Sequence, residues 1–152
     1  MKEPKTPYQE IIIEWSDREF FKKGKDFTQF DVKKENVLYQ IYGDHHIYGR
    51  NTLLYIGRTI NADARIKTHL DRSFFQFVNN CSVSIGTINP DEDLDVLEVA
   101  ESILIANHKP SLNKEFIHDI SQKAKLHKII VINNGNNEML KTCCTNYWWV
   151  EE

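Results

Sequence analysis

Apolar and polar positions alternate most regularly over Cys81–Gly86, where Cys81, Val83 and Ile85 are interleaved with Ser82, Ser84 and Gly86. A period of two is that of a strand with one buried face. Two β-rich runs, Val37 to Tyr42 and Thr52 to Ile56, flank a Gly-, Asp-, His- and Asn-containing connection, the pattern of an antiparallel pair. "YQEIIIEW" near the N-terminus and "KIIVI" near the C-terminus predict two further strands. The second of these runs into an Asn134-Gly135 turn and a strand near Met139–Cys144, and "NYWWV" predicts a last strand.

Helical signals sit between these runs. Ser16 with Glu19 three positions later is a capping-box pattern, predicting a short helix over Asp17–Lys23 that Gly24 closes. Asn61 can cap a helix to about Asp71, with Ala62, Ile66 and Leu70 on one apolar stripe. A longer helix starts at Pro90-Asp91 and ends near Lys109, because the residue before Pro110 is pushed out of the α region. A further helix is expected over Ile120–His127.

The expected fold class is therefore α+β: a small three-stranded antiparallel sheet flanked by helices. An N-terminal strand-helix extension precedes it, and a C-terminal β-hairpin either extends the sheet or packs beside it. A chain of 152 residues can bury a core as a single domain.

Composition narrows the class. With 41% hydrophobic and 27% charged residues and no apolar run of membrane length, the chain reads as a soluble globular protein. "MKEPKTPYQE" lacks the order of a signal peptide, so a cytoplasmic location is expected. Cys81, Cys143 and Cys144 are an odd count without framework spacing, which agrees with a reducing compartment. The formal charge is −3, but Asp91 to Glu101 holds six carboxylates and no Lys or Arg, so the remainder sums to +3. Two moderately basic segments, Arg50–Arg72 and Lys109–Lys128, flank that acidic run. A polyanion can dock on them, or they are ordinary solvated faces.

The candidate chemistry gathers near Gly57. On the helix after Asn61, Arg65 and His69 are four positions apart and share a face, where an arginine can fork two hydrogen bonds onto a phosphate. On the long helix, Leu94, Leu97, Leu104 and Ile105 define an apolar face with Glu101 in its middle. A carboxylate there is costly unless bound, either by a buried arginine or by a divalent cation held by one carboxylate, water and substrate phosphate. Tyr39 and Tyr55 are strand aromatics whose phenols could accept a proton if a nearby cation lowered their pKa. The His45-His46 doublet offers metal ligands or a solvated loop.

Taken together these residues resemble the GIY-YIG nucleases. The second half-motif stands as Tyr55-Ile56-Gly57, followed by Thr59 and Asn61, with Arg65 eight positions after the glycine and His69 four beyond it. "VLYQI" stands where the family has Gly-Ile-Tyr, which assigns the first tyrosine to Tyr39. "EVAESILIANHKPSLN" is similar to the closing block, with Glu101 nine residues before Pro110 and Asn113 three beyond. The resemblance covers residues 36–113, leaving 1–35 and 114–152 as extensions. The first glycine is replaced by Val37, which suggests a divergent branch such as the restriction-enzyme-like or phage and mobile-element members.

The resemblance implies a DNA endonuclease that hydrolyses phosphodiesters with one Mg²⁺ or Mn²⁺ ion on Glu101. It implies charge stabilisation by Arg65, a tyrosine proton acceptor (Tyr39 by preference, Tyr55 as partner), a phosphate or tyrosine contact from His69, and a structural Asn113. Arg58, His45, His46, Arg50 and Lys67 are candidate DNA contacts. No membrane partner is expected, and a homodimer would allow both strands to be cut. The alternative is a catalytically idle nucleic-acid-binding or assembly module, against which the retention of all five site residues argues.

Overall fold

The computed structural model describes residues 8–20, 35–72, 79–88 and 94–150. It is built mainly of strands: β1 (Gln9–Trp15), β2 (Glu19–Phe20), β3 (Val37–His45), β4 (Gly49–Thr59), β5 (Asn79–Ile88), β6 (Ile129–Gly135) and β7 (Cys143–Thr145). Among the described residues there are also two α-helices, α1 (Ala62–Arg72) and α2 (Leu94–His108), and two 3-10 turns, Lys123–Lys125 and Tyr147–Trp149.

The expected small three-stranded sheet flanked by helices is not what forms. The strands make one seven-stranded mixed sheet, curled strongly into a half-barrel, in the order β4-β3-β5-β1-β6-β7 with β2 on β5. β1 pairs antiparallel with β5 and parallel with β6, from Gln9↔Ile129 to Trp15↔Gly135. The N-terminal strand is thus the seam that joins the two halves of the sheet. Its inward residues Ile11, Ile13 and Trp15 are buried, and the Trp15 indole donates to Asn133 Oδ1 at 2.9 Å.

Several local expectations also give way. The capping residue Ser16 is taken up by β5: its hydroxyl accepts from Ile85 N at 2.9 Å and its carbonyl from Ser84 Oγ at 2.7 Å. Glu19–Phe20 is therefore a strand pairing with Val83 and Ser82, not a helix; Phe21 to Gly24 lie outside the described residues. The helix expected over Ile120–His127 is reduced to one 3-10 turn, and "NYWWV" forms another in place of a strand. β7 begins only at Cys143.

Two apolar clusters lie on the two sides of the sheet. One, with Leu38, Leu53 and Ile56, packs beneath Leu97, Ala100, Ile103 and Leu104 of α2. The other, with Val37, Tyr39, Ile41, Val83 and Ile85, is covered by Ala62 and Ile66 of α1. Asn61 caps α1, accepting from Ala64 N at 3.2 Å. α2 stops where Lys109 turns left-handed at φ 47°, directly before Pro110; its expected start at Pro90-Asp91 lies outside the described residues.

Candidate active site

The site is set by an irregularity in β4. Ile41 pairs with Tyr55 but Tyr42 pairs with Leu53, so Leu54 is an extra residue in the ladder. Leu53 belongs to the α2 cluster, whereas Leu54 and Tyr55 both belong to the α1 side. Without the bulge, Tyr55 would share the face of Leu53, because residues two apart point the same way. With it, Tyr55 turns onto the face of Tyr39, and the two rings stack with centroids 6.0 Å apart and planes at 23°. The chain after α2 closes over this place, Leu112 N donating to the Leu54 carbonyl at 2.9 Å.

Tyr39 lies directly opposite Gly57 in the ladder. A Cβ added at Gly57 would come within 2.5 Å of Tyr39 Cζ and 2.8 Å of Tyr55 Cε1. The missing side chain is what allows both rings to lie over the strand. Asn113 fixes the neighbouring peptide: its Oδ1 accepts from Ile56 N and its Nδ2 donates to Ile56 O, each at 2.9 Å.

From the first turn of α1, Arg65 acts on the phenols of Tyr39 and Tyr55, and their influence raises its pKa and holds the guanidinium firmly charged. Tyr39 is only 1% exposed. Burial raises its phenol well above the usual tyrosine range, the Tyr55 phenol adds to the rise, and Arg65 offsets only part of it. At neutral pH Tyr39 is protonated.

Glu101 approaches from α2 with a side chain 12% exposed, its carboxylate 3.5 Å from Arg58 Nε. Burial pushes its pKa up to about 7 despite Arg58, and the negative charges of Glu115 and Glu98 add to the rise. The sequence reading of an arginine partner is met in part, by Arg58, which is exposed rather than buried and leaves the charge incompletely matched. A divalent cation fits such a carboxylate, needing one or two acidic ligands and taking its other positions from water and phosphate. Among the described residues no group of three or more His, Cys, Asp or Glu converges as a protein-only metal cage.

The structure thus brings together Tyr39, Tyr55, Gly57 and Arg65 with Asn113 beside them, while Glu101, on the α2 side of the sheet, contacts Arg58 and is near enough for its charge to raise the Tyr39 phenol. Arg58, expected as a DNA contact, is instead engaged by Glu101 and by Glu98 at 3.4 Å. Glu98 is thereby part of the site's charge balance; its three-residue spacing from Glu101 is the signal the sequence offers. His45, His46 and Arg50 lie at the far end of the β3–β4 hairpin. The side chains of Lys67 and His69 lie outside the described part of α1. No protein-family model, curated protein or solved structure matches the chain.

Proposed function

We infer that the chain is a divalent-metal-dependent DNA endonuclease with a GIY-YIG type of catalytic residue set, of the restriction, phage or mobile-element kind. The observation that carries the reading is the placement, by four separate elements, of two stacked tyrosines, an arginine held charged by both and, near enough to act on the Tyr39 phenol, a poorly compensated buried carboxylate. Phosphodiester hydrolysis asks for those roles: fixed positive charge where the phosphorane charge develops, a ligand for a hard cation, and oxygen groups that hold and relay a proton.

Arg65 keeps its charge throughout and, with five N–H donors, can reach a phosphate oxygen while it orients the phenols. Tyr39, buried and protonated at rest, would have to lose its phenol proton to solvent before it could take the proton of the attacking water, and that loss calls for further positive charge beside it. A Mg²⁺ or Mn²⁺ ion held by Glu101 would supply that charge next to the scissile phosphate. Tyr55 packs against Tyr39 and is less buried than it. Gly57 and Asn113 keep β4 where these groups meet.

Among the described residues no helix is long and apolar enough to cross a membrane. We place the enzyme in the cytoplasm, where the thiols of Cys81, Cys143 and Cys144 stay reduced. One site cuts one strand, so a duplex break takes two copies or two successive events. The test is conversion of supercoiled plasmid to nicked and linear forms with Mg²⁺, wild type beside Glu101→Ala. Cleavage by the wild type alone supports the reading. No cleavage across several DNAs and metals would favour an idle binding module.

A further inference from the structure

The β3–β4 hairpin carries the reacting residues near one end and an unexplained exposed cluster at the other. Its turn places Ile47 and Tyr48 in solvent, 70% and 67% exposed. Neither belongs to a core cluster, yet the turn is held firmly. His45 Nδ1 accepts from the backbone N–H of Ile47 at 3.0 Å and of Tyr48 at 3.2 Å. The His45 ring stacks on His46 and lies against Tyr48, each with a centroid separation of 4.7 Å. An apolar, aromatic tip that is fixed in shape before anything binds it has the form of a recognition element rather than of a loose connection.

Beside the turn lies an open cleft of about 570 Å³, lined by Arg18, Phe20, Asp44, Arg50, Asn51 and Asn80. Its single carboxylate is already engaged: Asp44 accepts from Asn51 N at 3.1 Å and from Asn80 Nδ2 at 2.8 Å. Arg18 is likewise committed, to Glu138 at 3.2 Å and to Asn51 Oδ1. Arg50 is exposed and makes no ion pair among the described residues. Among the described residues that line the cleft, Arg50 is thus the exposed cation open to an anionic ligand, with the charge of Asp44 nearby.

Scale identifies the ligand. From Tyr39 to His45 is six strand residues, roughly 20 Å at about 3.3 Å each. A duplex advances about 3.4 Å per base pair, so the turn stands about six base pairs from a phosphate at Tyr39. A two-stranded ribbon is also the size that a major groove admits.

We propose that the β3–β4 turn is the sequence-reading element for duplex DNA, with Ile47 and Tyr48 against base edges in the groove and Arg50 on a backbone phosphate at the cleft. This rests on the nuclease reading, and its test is chosen to fail separately. Binding of labelled duplexes is followed by fluorescence anisotropy in EDTA over a salt series, for wild type and Arg50→Ala. Cut positions in Mg²⁺ are mapped by fragment-end sequencing, for wild type and an Ile47→Ser/Tyr48→Ser double variant. Thermal melts establish that each variant is folded, as expected for exposed positions.

Arg50→Ala is expected to weaken binding roughly tenfold on every duplex and to lower the salt slope by about one. The double variant is expected to lose the wild type's bias for particular cut positions. Unchanged affinity and salt slope in Arg50→Ala, or unchanged cut positions in the double variant, would overturn the proposal while leaving the nuclease standing. Wild-type cleavage without any positional bias would overturn it too. A wild type that neither binds nor cuts would remove the nuclease reading and this one with it.

Discussion

The Tyr39 ring rests on the bare backbone of Gly57, so close that a single methyl group on that residue would meet its Cζ at 2.5 Å. Arg65 in turn acts on the Tyr39 phenol, so the relation of a buried phenol to a charged guanidinium depends on one absent side chain. Gly57→Ala should therefore act on the site more than on the fold. We expect a loss of about 1–3 kcal/mol in stability from overpacking and at least a ~100-fold loss of cleavage from misplaced groups. Denaturant melts and single-turnover rates measured on the same preparation check this. Full activity in a variant of lowered stability would refute the positional argument.

Arg65 acts on two phenols at once, where the shape of its planar fork can matter as well as its charge. Arg65→Lys keeps the charge and loses the planar fork. The expected outcome is a fall of about 10²–10³ in the rate of cleavage with DNA affinity little changed. A lysine variant that cuts at the wild-type rate would show that only a point charge is needed.

Glu101 links stability to pH. Its folded pKa, about 7, is raised above the ordinary 4.5, so the folded state binds the proton more tightly than the unfolded chain does. That contribution is fully present below pH ~4.5 and is lost as pH rises through about 7. Without divalent cations, Glu101→Gln should be the more stable protein at pH 8, by up to ~3 kcal/mol or roughly 5–10 °C in Tm. Mg²⁺ should raise the Tm of the wild type and leave that of the variant unmoved. Scanning calorimetry in EDTA and in Mg²⁺ at pH 5 and 8 reads both; a Gln variant less stable than wild type at pH 8 in EDTA would contradict the assignment.

Asn113 is the only described side chain bonded to both backbone groups of Ile56, at 2.9 Å each. Asn113→Ala leaves an N–H and a carbonyl without those partners next to the bulge, at a cost of about 2 kcal/mol. Asn113→Asp restores the acceptor but not the donor and should fall between. Urea melts of the three proteins give the order; equal midpoints would mean that water replaces the amide without loss.

How much of this is legible in the chain depends on the range over which each feature is set. Tyr55, Gly57 and Arg65 follow one another along a strand and the helix after it, so local spacing is enough to bring them near one another. Glu101 is legible because a carboxylate among Leu97, Leu104 and Ile105 needs a reason to be there. The seven-stranded half-barrel is not legible, because β1 meets β6 across some 120 residues, from Gln9 to Ile129, and nothing local specifies that partner. Ser16 misled for the same reason: a hydroxyl suited to capping a helix was satisfied by distant Ile85. The bulge left one trace, the apolar pair Leu53-Leu54, which breaks alternation and buries both residues on opposite sides.

The nuclease reading stands or falls on one assay: single-turnover cleavage of end-labelled duplex DNA in Mg²⁺ by wild type, Tyr39→Phe, Arg65→Ala and Glu101→Ala, each first shown to be folded. The account predicts cutting by the wild type, abolished in EDTA, and a loss of about 10²-fold or more in each variant. Cutting that survives all three substitutions, or a folded wild type that cuts no duplex with Mg²⁺ or Mn²⁺, would contradict it.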